Sequence, residues 1–218
     1  MPSHPTAAIL TGDLIGSTQV APPALDGAMA TLRDGSTEIG KWVSKDCKFT
    51  RFRGDGWQIQ ISRPELALRA AIFLVACLRA RKTFPATRIA IGIGSVENAG
   101  TRDLSDASGQ ALIQSGRALD NMPKLKILDI AGDGITSLHS GFVNLIDATI
   151  RRWTPEQAEA VGYYLHPGNP TLEDIAVRIG ISIQAVSYRI RGANGNDLRQ
   201  ALKSWEMDYD LIRQPESS

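Results

Sequence analysis

A hairpin set between helices does most to limit how this chain can fold. In "CKFTRFRGDGWQIQI", Phe49 and Phe52, then Trp57, Ile59 and Ile61, read as two strands with glycine-flanked Asp55 at the turn. Strands joined so tightly must pair antiparallel, which rules out an all-parallel sheet. The hairpin follows a short strand, Ala7–Leu10, punctuated by Gly12 and Gly16. Between them, Leu25, Met29, Leu32, Ile39 and Trp42 are spaced for one amphipathic helix, with an interruption expected near Gly35. After the hairpin, "PELALRAAIFLVACLRARK" starts at Pro64 and is apolar enough for a well-buried helix. "TRIAIGIGSV" is a strand in which β-branched residues alternate with glycine and alanine. Then come a helix in "SGQALIQSGRALDNM", a strand in "LKILDI" and a helix in "GITSLHSGFVNLIDATIRRW". The order βαββαβαβα predicts an α+β fold: an antiparallel-rich sheet with helices on one face.

Charge narrows the partners. The chain carries 24 basic and 23 acidic residues, so any polyanion or membrane must be met by a local patch. Cys47 and Cys77 are far apart and form neither a metal knuckle nor a disulfide framework, as suits a reducing cytoplasm. His4, His139 and His166 stand singly, which argues against a zinc enzyme or a histidine-dependent hydrolase. "MPSHPT" has no basic or apolar region of a signal peptide, and the longest apolar run, around Ala70–Leu78, is too short for a membrane span.

Composition changes near Trp153, which divides the chain into an expected first domain, 1–152, and a second, 153–218, whose tail "RQPESS" reads as frayed. In "TLEDIAVRIGISIQAVSYRIRG", Thr171 can cap a helix whose inner face is Leu172, Ile175, Ala176 and Ile179. Gly180 permits a tight turn, Ser182 caps the next helix, and Val186 and Ile190 form its inner side. Ala176, Gly180 and Val186 fall at the spacing of the helix-turn-helix of sigma factors and many regulators, which this stretch resembles. That resemblance makes Ser182–Arg191 the recognition helix. Ser182, Ile183, Gln184, Ser187, Tyr188, Arg189 and Arg191 are its candidate DNA-binding residues. Glutamine and serine can read base edges, and arginine can hold guanine or phosphate. Arg189, Arg191, Arg199 and Lys203 against Asp197 supply the local patch. The bland alternative is a helical hairpin used for packing, with solvated arginines.

Asp13 poses a second question. Beside Gly16, Ser17 and Thr18 it is either an ordinary turn residue or half of a metal site next to phosphate-holding amides. Asp55 gives the pairing its meaning. If the first strand lies beside the hairpin, both carboxylates reach one edge, as a Mg²⁺–triphosphate site needs.

The chain also resembles class III nucleotide cyclases. "LTGDLIGST" looks like their metal-binding strand, "FTRFRGDGWQIQI" their second metal hairpin, and "SGQALIQSGRAL" the helix of their transition-state residues. The likeness spans residues 7–131 and implies a ferredoxin-like palm followed by an all-α helix-turn-helix domain. It implies Asp13 and Asp55 as ligands of Mg²⁺ or Mn²⁺, and Ile15, Gly16, Ser17 and Thr18 as the phosphate-facing loop. It also sets Arg51 where cyclases place a base-reading lysine, Asp106 where adenine-selective members keep an acid, and Arg117 as the catalytic arginine. Cyclase sites form between two palms, so it implies a homodimer. Two departures stand out: the family's catalytic asparagine is Ile113 here, and Arg51 differs in geometry from lysine. Gln114 is adjacent but points about 100° away on a helix.

Taken whole, the "GD" strand, the "GDG" hairpin, "SDASGQA" before an "RAL" helix and the terminal helix pair resemble the SatD family of small bacterial proteins, which are expected to bind DNA. The expectation is a cytoplasmic DNA-binding regulator whose palm binds a metal–nucleotide or is purely structural. Its partners would be duplex DNA and a nucleoside triphosphate, with no membrane. The alternative is a working nucleotidyl cyclase.

Overall fold

The computed structural model describes residues 5–213, with side chains through Asp208; His4 and the tail from 214 lie outside the described residues. The order is β1 (Thr6–Leu14), α1 (Pro22–Trp42), β2 (Phe49–Phe52), β3 (Gly56–Ile61), α2 (Ala67–Arg79), β4 (Thr87–Ser95), α3 (Gln110–Asp120), β5 (Leu128–Gly132) and α4 (Ser137–Ile150). Four helices follow: α5 (Pro155–Tyr164), α6 (Leu172–Ile179), α7 (Ile183–Gly192) and α8 (Gly195–Arg213). The expected βαββαβαβα order is present, and α8 is a helix that the sequence reading did not anticipate. No helix among the described residues is long and apolar enough to cross a membrane.

The strands form one sheet in the order β2-β3-β1-β4-β5. β1 pairs antiparallel with both β3 and β4, β2 antiparallel with β3, and only β4–β5 is parallel. The first four strands thus have the ferredoxin-like order, with a fifth added at the β4 edge.

Alternation on β4 decides how the layers stack. Ile89, Ile91 and Ile93 join Ala8, Leu10, Leu14, Trp57 and Ile59 in the main core under α1, α2 and α4. On the other face, Ala90 meets Leu119 of α3, while Ala7 and Ile9 meet Ala111. Gly92 lets α3 come close: a Cβ there would lie 2.1 Å from the Ala111 carbonyl oxygen and 2.4 Å from the Ser115 nitrogen. The expected helices on one face are therefore corrected, since α3 covers the opposite side. β3, β4 and β5 run parallel and step the same way across the sheet, so α2 and α3 on opposite faces give connections of opposite hand. The usual preference for right-handed crossovers would have stacked α3 beside α2.

Two glycines expected to interrupt elements serve packing instead. β1 runs on through Gly12 because Trp57 fills the space over it; a Cβ at Gly12 would sit 2.3 Å from the indole. α1 runs unbroken through Gly35, where Leu74 of α2 crosses. Gly16, by contrast, is a true turn residue with φ 68°.

The C-terminal helices pack on this frame. Trp153, Val161, Leu165, Leu202 and Trp205 belong to the same main core as the sheet. Arg69, 3% exposed, donates to both carboxylate oxygens of Glu206 on α8 and to the Leu165 carbonyl. A second, small core joins Ala160 of α5, Ile175 and Ala176 of α6, and Val186 and Ile190 of α7.

Gly92→Ala should destabilise the protein by about 1–3 kcal/mol, because a methyl would overpack backbone that cannot yield. Gly116→Ala, on α3 itself and with nothing within 4 Å, should be neutral or stabilise by about 0.5–1 kcal/mol. Urea denaturation of the two variants checks both signs.

Candidate functional site

Asp13 is near the end of β1, in register with Gly56 of β3 and Arg88 of β4. Leu14 N–H donates to the Asp55 carbonyl at 3.2 Å, so the hairpin turn sits against the same corner. The backbones of Asp13 and Asp55 thus meet at one corner of the sheet.

Their partners are already chosen. Arg88 grips Asp13 with two donors: Nε to Oδ1 at 2.9 Å, and Nη2 to Oδ2. Both side chains are half-buried, and this hydrogen bonding, with help from Asp120, raises the Arg88 pKa further above its ordinary value. Ser17 donates its hydroxyl to Asp55 Oδ2 at 2.5 Å. Ser17 opens a short 3-10 turn, with Thr18 exposed next to it and Ile15 43% exposed before it.

Tested as a metal centre, this corner does not fit. A divalent ion needs carboxylate oxygens free to coordinate, and both oxygens of Asp13 face a guanidinium. No group of three or more histidine, cysteine, aspartate or glutamate residues forms a metal cluster among the described residues. Sequence reasoning missed Arg88. The available signal was its place at the start of "RIAIGIGS", the end of β4 that meets the end of β1 once those strands pair antiparallel.

The other residues implied by the cyclase resemblance do not gather at this corner. Arg51 pairs with Trp57 in register, so it faces the α1 side of the sheet. There it donates to the Gly54 carbonyl at 2.7 Å and to Asp26 of α1 at 2.8 Å, tying the hairpin to that helix. Asp106 accepts from the Thr101 backbone N–H at 3.0 Å, which closes its loop and holds its carboxyl below the usual range. That loop leaves the far end of β4, where Lys48 holds the Ala99 and Gly100 carbonyls. Arg117 is exposed, and with Ile113 it occupies the α3 ridge opposite the buried Ala111, Ser115 and Leu119. No hydrogen bond or ion pair joins Arg117 to Asp13 or Asp55 among the described residues.

The helix pair is built as its sequence implied. Thr171 and Asp174 form a reciprocal cap on α6, Gly180 turns with φ 71°, and Ser182 accepts from Ala185 N–H at 3.2 Å to start α7. Val186 and Ile190 are buried, at 0% and 2% exposure. Ser182, Ile183, Gln184, Ser187, Tyr188 and Arg191 are exposed, forming a row on the other side. Arg191 lies beside the Tyr188 ring, 6.0 Å from its centroid. Arg189 departs from this row. Its position next to Ile190 turns it toward α5, where it donates to Glu159 at 2.9 Å.

Comparison with known proteins adds little to this geometry. No protein-family model and no curated protein match the chain. Among solved structures, the guanylyl cyclase Cya2 is 15% identical over 59% of this chain and 76% of its own, with a TM-score of 0.40. A bacterial light-regulated adenylyl cyclase is 14% identical over 60% of this chain and 44% of its own, with a TM-score of 0.42. The active GGEEF domain of a diguanylate cyclase from Vibrio cholerae is 15% identical over 53% of this chain and 74% of its own, with a TM-score of 0.38.

The Asp13–Arg88 pair predicts a silent response to metal. Millimolar Mn²⁺ should leave the wild-type melting temperature unchanged, whereas Arg88→Ala should free Asp13 and gain about 2–4 °C. Differential scanning calorimetry reads both, and an equal gain in the wild type would refute the pairing.

Proposed function

We propose that this protein is a DNA-binding regulatory protein. Residues 153–218 carry the DNA-reading unit, in which α6 and α7 form a helix-turn-helix and α7 enters the major groove. Residues 1–152 are a cyclase-like palm that carries this unit and pairs two copies on spaced half-sites. The observation that supports this best is the exposed row Gln184, Ser187, Tyr188 and Arg191, backed by buried Val186 and Ile190. Such a helix presents a base-reading amide and a phosphate-seeking cation from a rigid support. The likeness of the whole motif order to the SatD family agrees with this role, and a cytoplasmic location is part of the proposal. Arg189, held by Glu159, acts in this reading as a brace for α7.

Duplex binding should weaken as salt rises, because each neutralised phosphate releases counterions. Arg191→Ala should cost about 1–3 kcal/mol if it contacts a base, and Gln184→Ala should mainly relax sequence choice. Fluorescence anisotropy with fragments selected from genomic DNA measures both. Failure to retain any duplex at low salt would refute the proposal.

One observation favours a second reading, a nucleotidyl cyclase or related transferase: Asp13 and Asp55 share a corner beside the Ser17 turn. In that reading the palm takes a nucleoside triphosphate, with Mg²⁺ or Mn²⁺ admitted only after Arg88 leaves Asp13. We rank it second because Ile113 cannot donate the hydrogen bond that the family's asparagine supplies, a loss of about 10²–10³-fold in comparable sites. Incubation with ATP, GTP, CTP or UTP plus Mn²⁺ should therefore yield no cyclic product above background. Turnover abolished by Asp55→Asn would promote this reading over the first.

A further inference from the structure

α4 turns an apolar stripe to solvent where a surface helix ordinarily carries charge. Its inner side holds Val143, Ile146 and Ile150, which belong to the main core. On the opposite side, Leu138 is 79% exposed and Leu145 is 72% exposed. These two are seven residues apart and so fall on one line, with Gly141 and Ala148 between and beyond them at heptad spacing. The helix has no lysine, arginine or glutamate. Its one acid, Asp147, is buried and accepts from the backbone N–H groups of Ile127 and Leu128, while His139 turns to Thr136 and Asp208. Exposed leucines on a face without charge mark an interaction surface.

Shape and charge say what covers it. Gly141 is exposed, lies within the helix without a positive φ, and a Cβ there would meet nothing within 4 Å. Nothing within one chain therefore asks for glycine at a position where it weakens the helix. A second α4, laid antiparallel and centred at the level of Val143, gives the hollow an occupant. Each Leu145 then sits over the other copy's Gly141, and each Leu138 over the other copy's Ala148, so that large meets small along the stripe. The ends match as well. Asp133 lies ten residues before Val143, and Arg152 lies nine after it. Both are exposed, and among the described residues they make only backbone hydrogen bonds, to Ile93 and Thr149. The antiparallel pair brings each Asp133 to the other copy's Arg152. A two-fold interface requires a surface that complements itself in this way.

We propose that α4 is a homodimer interface, with Leu145 seated at Gly141 and Asp133 on Arg152 across the two-fold axis. Pairing there would hold two α7 rows at a fixed separation. That role rests on the DNA-binding reading; the pairing itself does not.

Sedimentation velocity without DNA tests the interface. The wild type should pass from monomer to dimer in the micromolar range, as suits a contact built on one helix face. Leu145→Glu should weaken association by about tenfold or more, because a charge enters the apolar stripe. Gly141→Gln should do the same by filling the hollow, yet leave the melting temperature no lower, since its new side chain meets no neighbour in the monomer. Asp133→Arg should also weaken the dimer, and adding Arg152→Asp should restore it, a rescue that mere damage to the fold would not allow. Circular dichroism confirms that each variant folds. A wild type that stays monomeric at high micromolar concentration would overturn the proposal, as would a dimer indifferent to both Leu145→Glu and Gly141→Gln. Failure of the charge swap to restore association would overturn the antiparallel register. Dimers that form normally but retain no duplex would overturn the DNA-binding reading and leave this interface standing.

Discussion

The two unequal faces of β4 set the rest of the molecule in place. Ile89, Ile91 and Ile93 give α1, α2 and α4 a thick apolar face to cover, while Ala90, Gly92 and Gly94 give α3 almost no side chain to stand on. The helix therefore lies directly on backbone. This close approach brings the Ser115 hydroxyl to Thr11 at 2.7 Å, and Gln58 of β3 donates to the same threonine at 3.2 Å. A polar ladder thus crosses the α3 face, where a second apolar layer would otherwise be expected. Further along the same face, Asp13 and Arg88 form an ion pair at the next-to-last register position between β1 and β4.

That pair governs what this corner of the sheet can do. A carboxylate at a strand end beside a turn is an invitation to a cation, and here the cation is covalently part of the chain. Arg88 is half-buried and further steadied by Asp120, so it is not a freely exchanging surface partner. The same economy appears where the C-terminal helices dock. Arg69 is almost fully buried, yet its guanidinium finds Glu206 and the Leu165 carbonyl, and loss of one partner from such a pair typically costs about 3–5 kcal/mol. Arg79 likewise donates to the carbonyls of Trp153 and Arg151, where α4 hands over to α5. The α7 row is thus held on a firm base rather than on a loose appendage.

How much of this was legible depended on whether a residue's role is local. The caps at Thr171 and Ser182, the Gly180 turn and the buried Val186 and Ile190 follow from spacing within one short segment, and all are present. The hairpin around Asp55 was equally readable, because turn and strands adjoin in sequence. What failed was long-range. Gly12 and Gly35 read as breakers, but they are small because Trp57 and Leu74 pack on them from distant elements. The placement of α3 depended on the hand of a crossover, which a string of apolar residues does not encode. Arg88 looked like an ordinary strand-start residue until the pairing of β1 with β4 set it opposite Asp13. α8 was passed over because its apolar residues are sparse, and Leu198, Leu202 and Trp205 have meaning only against the main core.

The proposed DNA contact rests on α7. Amide chemical shifts of the labelled protein, followed as a selected duplex is added at low salt, test this residue by residue. Perturbations should concentrate on Ser182–Arg191, with the Asp13–Asp55 corner unmoved. Perturbations centred on that corner, or none on α7 at saturating duplex, would contradict it.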